Sequence, residues 1–215
     1  MSKVRTINDL QILLDADLAW RIKEVSGLKR LVKSSKTIQK ATATRAAIPL
    51  LYAHWEGFVK SAATHYLNYV LGQRLRYNQL RSCFIALGLK SNLDLFSSTM
   101  KADKYVYALD EIRSGLTSRA NFTISSAIKT ESNLNSRVFV SICACIGIDH
   151  SKYDAKANLI DVSLLQRRNK IAHGEFLDIN ADGFKDLAHE VVKLLRSFKT
   201  DIENCASLGT YKAVA

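Results

Sequence analysis

The stretch NDLQILLDADLAWRIKEVSGLKRLVKS, residues 8–34, decides the fold class. Its apolar residues Leu10, Leu14, Leu18, Ile22, Val25, Leu28 and Val32 return every three or four positions, so they lie along one stripe of a helix. Thr6 or Asn8 can cap its start. The same spacing recurs further on. Ile48, Leu51, Trp55, Phe58, Val59, Ala62, Tyr66 and Val70 mark the buried face of a second long helix, at least over 48–71. Pro49 either sits in its first turn or interrupts a helix that begins nearer Ile38. After a turn over 178–183, Phe184, Leu187, Val191, Phe198, Ile202 and Cys205 give a final helix an equally regular stripe. Helices that each bury one face pack into an antiparallel bundle, so the expected class is all-α.

Between these helices the pattern weakens, and residues 73–132 read as an irregular middle insertion. Short helices are expected over 77–87 and 103–112, with a brief extended stretch at Phe122–Ile124. A helix over 133–146 follows, which Glu131 or Asn133 can cap. Asp161 can cap another over Val162–Ala172, with Gly174 as its stop. One Pro and nine Gly suit helices better than a turn-rich sandwich or barrel. No linker or repeat divides the chain, so residues 1–215 read as a single domain.

Thirty-one Lys and Arg against twenty Asp and Glu leave a net charge of +11, which favours a polyanionic partner, RNA or DNA, over an acidic protein or small apolar ligand. The N-terminus has no apolar signal region, and the longest apolar run, 138–148, is too short to span a bilayer. A cytoplasmic protein with no membrane partner is expected. Cys83, Cys143, Cys145 and Cys205 read as free buried thiols, since the Cys143–Cys145 pair has no second Cys/His pair to complete a metal site. No phosphate-binding glycine loop, nucleophile elbow or carboxylate cluster spaced for Mg²⁺ is present, so neither metal nor cofactor is expected.

The chemistry concentrates in Leu164–Gly174, LLQRRNKIAHG. On a regular helical wheel Leu164, Leu165, Ile171 and Ala172 form an apolar stripe, and Arg168 projects from its middle. Asn169 and His173, four apart, flank it, while Gln166, Arg167 and Lys170 fall on the solvated side. A guanidinium keeps its proton, so Arg168 must either pair with a carboxylate, Glu56 or Glu190, or face a cleft or subunit interface. Grouped with an amide and an imidazole it suits a phosphodiester. Metal-free cleavage of RNA needs a base for the 2′-hydroxyl, an acid for the leaving 5′-oxygen and positive charge on the phosphorane. His173 suits acid–base work and Arg168 suits the non-bridging oxygens. One histidine per chain is one too few for both proton transfers, and a two-fold dimer supplies the second.

The run Arg168-Asn169-Lys170-Ile171-Ala172-His173 resembles the Arg-x4-6-His motif of the HEPN superfamily. The segments Asp17–Arg21, Leu50–Lys60, Thr130–Leu134 and Arg167–Glu175 are similar, in the same order, to a bacterial HEPN-like nuclease family found beside restriction and defence genes. The resemblance implies a HEPN-type bundle and a metal-independent endoribonuclease with a dimeric composite site. Arg168 and His173 would be its essential pair and Asn169 its polar accessory. It also implies a role in phage defence or a toxin–antitoxin system, with an antitoxin or defence protein as possible partner. The alternative is a HEPN module that binds RNA or protein without cutting. Glu175, followed by Phe176, stands where toxins silenced by adenylylation carry a Tyr two residues after the motif His, which argues against that mode of silencing.

Arg167, Lys170, His54, Glu56 and Lys60 are further candidates for substrate binding. His54 and Glu56 either line the RNA groove or are ordinary helix residues beside a core Trp55. Tyr66, Tyr69, Arg74, Arg76, Tyr77 and Arg81 mix aromatic and basic groups as a stacking surface would, and as a bundle end also does.

Overall fold

Two of the three long helices start at a side chain that satisfies an open amide, and the third, at Lys36, has no side-chain cap. In the computed structural model, which describes residues 4–89, 93–94, 101–124, 128 and 133–213, α1 spans Ile7–Ser34. Thr6 is its cap: its hydroxyl accepts from the Asp9 amide, and the Asp9 carboxylate accepts from the Thr6 amide. Two residues later α2 runs over Thr37–Gly72 with Pro49 inside it. The helix therefore begins near Ile38, and Pro49 leaves the Arg45 carbonyl without its usual helical donor. The final helix, over Ala181–Ser207, is capped by Asn180, whose side chain accepts from the Gly183 amide.

The intervening chain is shorter-stepped. A 3-10 turn at Tyr77–Gln79 leads to α3 (Ser82–Gly88), and α4 covers Ala102–Gly115. Where a brief extended stretch is expected at Phe122–Ile124, Phe122 and Thr123 belong to no regular element and Ile124 is helical, and the pairing nearby is one isolated bridge between Arg76 and Arg119. Among the described residues there is no strand. After α5 (Ser136–Ile146) come a 3-10 turn at Ser151–Lys156, a π-helical stretch at Leu159–Gln166, α6 (Arg167–Ala172) and α7 (Ala181–Ser207).

Two expected caps are corrected here. Asn135, rather than Asn133, caps α5 by accepting from the Val138 amide; Glu131 lies outside the described residues. Asp161 does not start a helix, because the chain is already helical around it. Its two oxygens instead accept from the amide and hydroxyl of Ser136, both at 2.6 Å. A residue of the π-helical stretch thus anchors the first turn of α5.

α1, α2 and α7 pack against one another, and α5 and the π-helical stretch close on α2. Trp55, Phe58, Tyr66, Phe139, Phe184 and Phe198 fill the shared core. Phe139 joins the layers, with ring centroids 5.1 Å from Trp55, 5.4 Å from Phe198 and 4.9 Å from Tyr153. The four cysteines are free thiols, and burial pushes that of Cys143 up to about 12. Among the described residues no helix is long and apolar enough to cross a membrane.

Asp161→Ala removes two charge-assisted hydrogen bonds from the start of α5. It is expected to cost about 1–2 kcal/mol, read by calorimetry as a melting point lower by roughly 2–8 °C for a chain of this size.

Candidate active site

The half-buried Arg168, first turn of α6, is held from two sides. Its Nη2 donates to Asn133 Oδ1 at 2.8 Å, and its Cζ lies 4.3 Å from the centroid of the Tyr52 ring. Tyr52 is fixed in turn, because its hydroxyl oxygen accepts from the Leu134 amide at 2.6 Å. Burial raises the Tyr52 phenol above its ordinary value, and hydrogen bonds from Arg168 and the Leu134 amide pull against that rise. The Asn133–Leu134 pair and Tyr52 therefore form one cradle, built from α2 and the residues that lead into α5.

The other two motif residues follow from how α6 stops. Gly174 has φ +76°, a left-handed conformation that glycine adopts without Cβ strain. Its amide bonds the Ile171 carbonyl, and the Glu175 amide bonds that of Lys170, the paired pattern of a Schellman stop. This leaves His173 exposed at the helix end, one turn from the half-buried Asn169. Arg45 of α2 holds the turn that follows, donating from Nη1 to the Glu175 carbonyl at 3.0 Å.

The π-helical stretch changes the wheel on which Arg168 was first placed. Wider turns over Leu159–Gln166 break the 100° step between Leu164 and Ile171. Leu164 and Leu165 are buried and Ile171 half-buried, but Ala172 is exposed, so the apolar stripe ends before the last turn of α6. Arg167 and Lys170 are half-buried rather than fully solvated.

Of the two carboxylates available to Arg168, Glu190 is engaged elsewhere. Lys193 and Lys156 bond its two oxygens and hold its carboxyl down at about 2. Glu56 lies one turn beyond Tyr52 on the same face of α2, and its charge acts on the Tyr52 phenol. The exposed Lys60 lies one turn further along that face.

His54 is not brought to this group. Two residues from Tyr52, it projects roughly 200° away around α2 and packs on α1. It is 4% exposed, its ring centroid is 5.4 Å from that of Trp20, and Nε2 lies 3.4 Å from Glu24 Oε2. That approach is too poorly aligned for a hydrogen bond, so both ring nitrogens lack one among the described residues. Arg21 shares the pocket: its Nε donates to Asp17 Oδ1 at 3.0 Å, and its Nη1 to the His54 carbonyl at 3.3 Å. Tyr66, Tyr69 and Tyr77 are buried as well and present no stacking surface.

Asn133 and Tyr52 hold Arg168, and Arg45 the turn after His173, parts that sequence reading did not give them. The signal for Asn133 was ambiguous, since an Asn just before a helix reads first as a cap. Tyr52 was hidden inside an apolar stripe, and Arg45 carried no pattern.

Among the described residues no group of three or more His, Cys, Asp or Glu could hold a metal ion. A family model described as RiboL-PSP-HEPN matches residues 16–204. Neither the curated proteins nor the solved structures compared with the chain gave a match.

Burial holds His54 below its ordinary value of 6.5, with Glu24 pulling upward and Arg21 adding to the fall. The folded chain keeps His54 neutral while the unfolded chain takes up a proton below that value, so stability falls as pH drops through it. His65, lowered by the same cause, adds to the trend. Denaturant titrations from pH 7 to about 5 are expected to show this loss, with a smaller slope for His54→Gln.

Proposed function

The chain belongs to the RiboL-PSP-HEPN family, a group of the RNases and RNA-binding modules of the HEPN type, and from that membership we propose that it is a metal-independent endoribonuclease. The supporting observation is a guanidinium, Arg168, oriented by an amide and an aromatic face, on the same short helix that ends at an exposed imidazole, His173. An RNA phosphate docked on Arg168 places two non-bridging oxygens against the guanidinium fork. The 2′-oxygen attacks phosphorus and the bond to the 5′-oxygen breaks. A neutral imidazole takes the 2′-hydroxyl proton, and a protonated one delivers a proton to the leaving oxygen. The products are a 2′,3′-cyclic phosphate and a 5′-hydroxyl. Arg168 stabilises the charge that builds on the phosphorane, while Asn169 holds the imidazole or the phosphate.

Each protomer has one motif histidine, and a two-fold dimer brings a second to the same groove. Phe176, 85% exposed just beyond Gly174, offers an apolar contact for the second copy. Arg167 and Lys170 of α6 and Glu56 and Lys60 of α2 contact the strand in this reading; Arg45 keeps the turn after His173 in place. An RNase of this type fits phage defence or a toxin–antitoxin system, restrained by a partner protein.

Cleavage of a mixed RNA pool is the test. His173→Ala and Arg168→Ala are each expected to lose 10²–10⁴-fold in rate, about what one acid–base group or one charge contact supplies, and to stay folded. Arg168→Lys is not expected to recover, because an ammonium lacks the fork. Wild-type binding without any cutting would make the chain a non-catalytic RNA-binding module. Asn133→Ala tests the cradle separately: the fold is kept, and kcat falls roughly 10–100-fold because the guanidinium loses its position.

A further inference from the structure

Five basic residues meet in a cavity at one end of the bundle. The last turns of α1 supply Lys29, Arg30 and Lys33, the first turn of α2 supplies Lys40, and the first turn of α7 supplies Lys185. The cavity measures about 530 Å³, with the buried Val32 and Phe184 in its lining and Asp182 as its one carboxylate. No other lining residue is acidic. Where carboxylates stand close, cations pair with them: Lys152 with Asp201, Lys156 and Lys193 with Glu190, Lys199 with Asp15 and Glu203. None of the five cavity cations has an ion-pair partner among the described residues. Converging like charges without counter-charge are unfavourable unless an anion joins them. The first turn of α2 adds to the field, since it contains no acid and Lys36 provides no side-chain cap.

Two connections lead from this cavity to the motif. Along α2, Lys40 lies five residues before Arg45, which holds the Glu175 carbonyl, and twelve before Tyr52, about 18 Å in all. Along the chain, residues 174–180 pass from His173 to the first turn of α7, which lines the cavity. A single RNA strand covers that distance in a few nucleotides. We propose that this cavity binds the phosphate backbone of the RNA substrate at a point remote from the scissile bond. Lys29, Arg30, Lys33, Lys40 and Lys185 neutralise its phosphates, and the apolar lining accepts a sugar or base face. Such contacts carry no sequence information and fix the register of the strand instead.

The proposal rests on the RNase reading, and the two can fail separately. The test uses the full chain carrying His173→Ala, so that the probe survives, and a fluorescent single-stranded RNA of mixed sequence. Adding Lys29→Ala, Lys33→Ala and Lys185→Ala is expected to weaken binding at least about tenfold. The slope of log K against log salt should become shallower by about 2, at roughly 0.7 per phosphate contact on a single strand. The same three positions changed to Arg should keep both affinity and slope, which separates lost charge from lost folding. Unchanged affinity and slope in the alanine triple would overturn the assignment. So would an acidic peptide of equal charge, or a free nucleoside triphosphate, that binds the cavity as tightly as RNA and depends equally on the three lysines. A wild-type chain that never cuts, combined with loss of binding in the alanine triple, would sink the RNase reading and leave the cavity assigned.

Discussion

A guanidinium that cannot shed its proton has to be given a place, and much of the packing around α5 and α6 follows from placing Arg168. It lies half-buried at the start of a six-residue helix too short to orient a side chain alone. Tyr52 supplies a ring face and Asn133 an acceptor. Both depend on the lead into α5: the Leu134 amide fixes the Tyr52 hydroxyl, and Asn133 is its neighbour. The start of α5 is fixed in turn by Asp161, which reaches it from the π-helical stretch just before Arg168. The dependence is circular, so the site forms only when α2, α5 and α6 have all docked. Phe139 secures the docking from the core side through Trp55, Phe198 and Tyr153.

A second guanidinium is treated in the opposite way. Arg21, 7% exposed, is enclosed between α1 and α2, where it bonds Asp17 and the His54 carbonyl and stacks 4.5 Å from the Trp20 ring centroid. Gly57 admits it, since a Cβ there would lie 2.8 Å from Nη1. Arg21 clamps one face of α2 while Arg168 is presented on another. His54 shares the clamp, which is why it serves the seam between helices rather than the group around Arg168.

The long helices were readable because their stripes persist over many turns, and averaging over a stripe tolerates single exceptions such as Pro49. Arg168, Asn169 and His173 were readable because polar groups stood out at one helix end. What escaped was set by tertiary partners. Asp161 and Asn133 are both good caps on local grounds, and each is used instead across a gap of 25 or more residues. The wheel over Leu164–Ala172 assumed a regular helix, and the π-helical turns before Arg168 broke that assumption where the site begins. Tyr52 could not be told from its core neighbours by spacing alone, because ring burial and ring presentation share the same periodicity.

The proposed cleavage by Arg168 and His173, through the substrate's own 2′-oxygen, would leave a chemical signature that other routes do not. The most direct measurement is therefore the end groups of RNA fragments released by the wild-type chain in excess EDTA. The account expects 2′,3′-cyclic phosphate and 5′-hydroxyl ends, absent when the substrate carries 2′-deoxy or 2′-O-methyl sugars. Fragments ending in 3′-hydroxyl and 5′-phosphate, or continued cutting of 2′-O-methyl RNA, would contradict it, because water rather than the 2′-oxygen would then be the nucleophile.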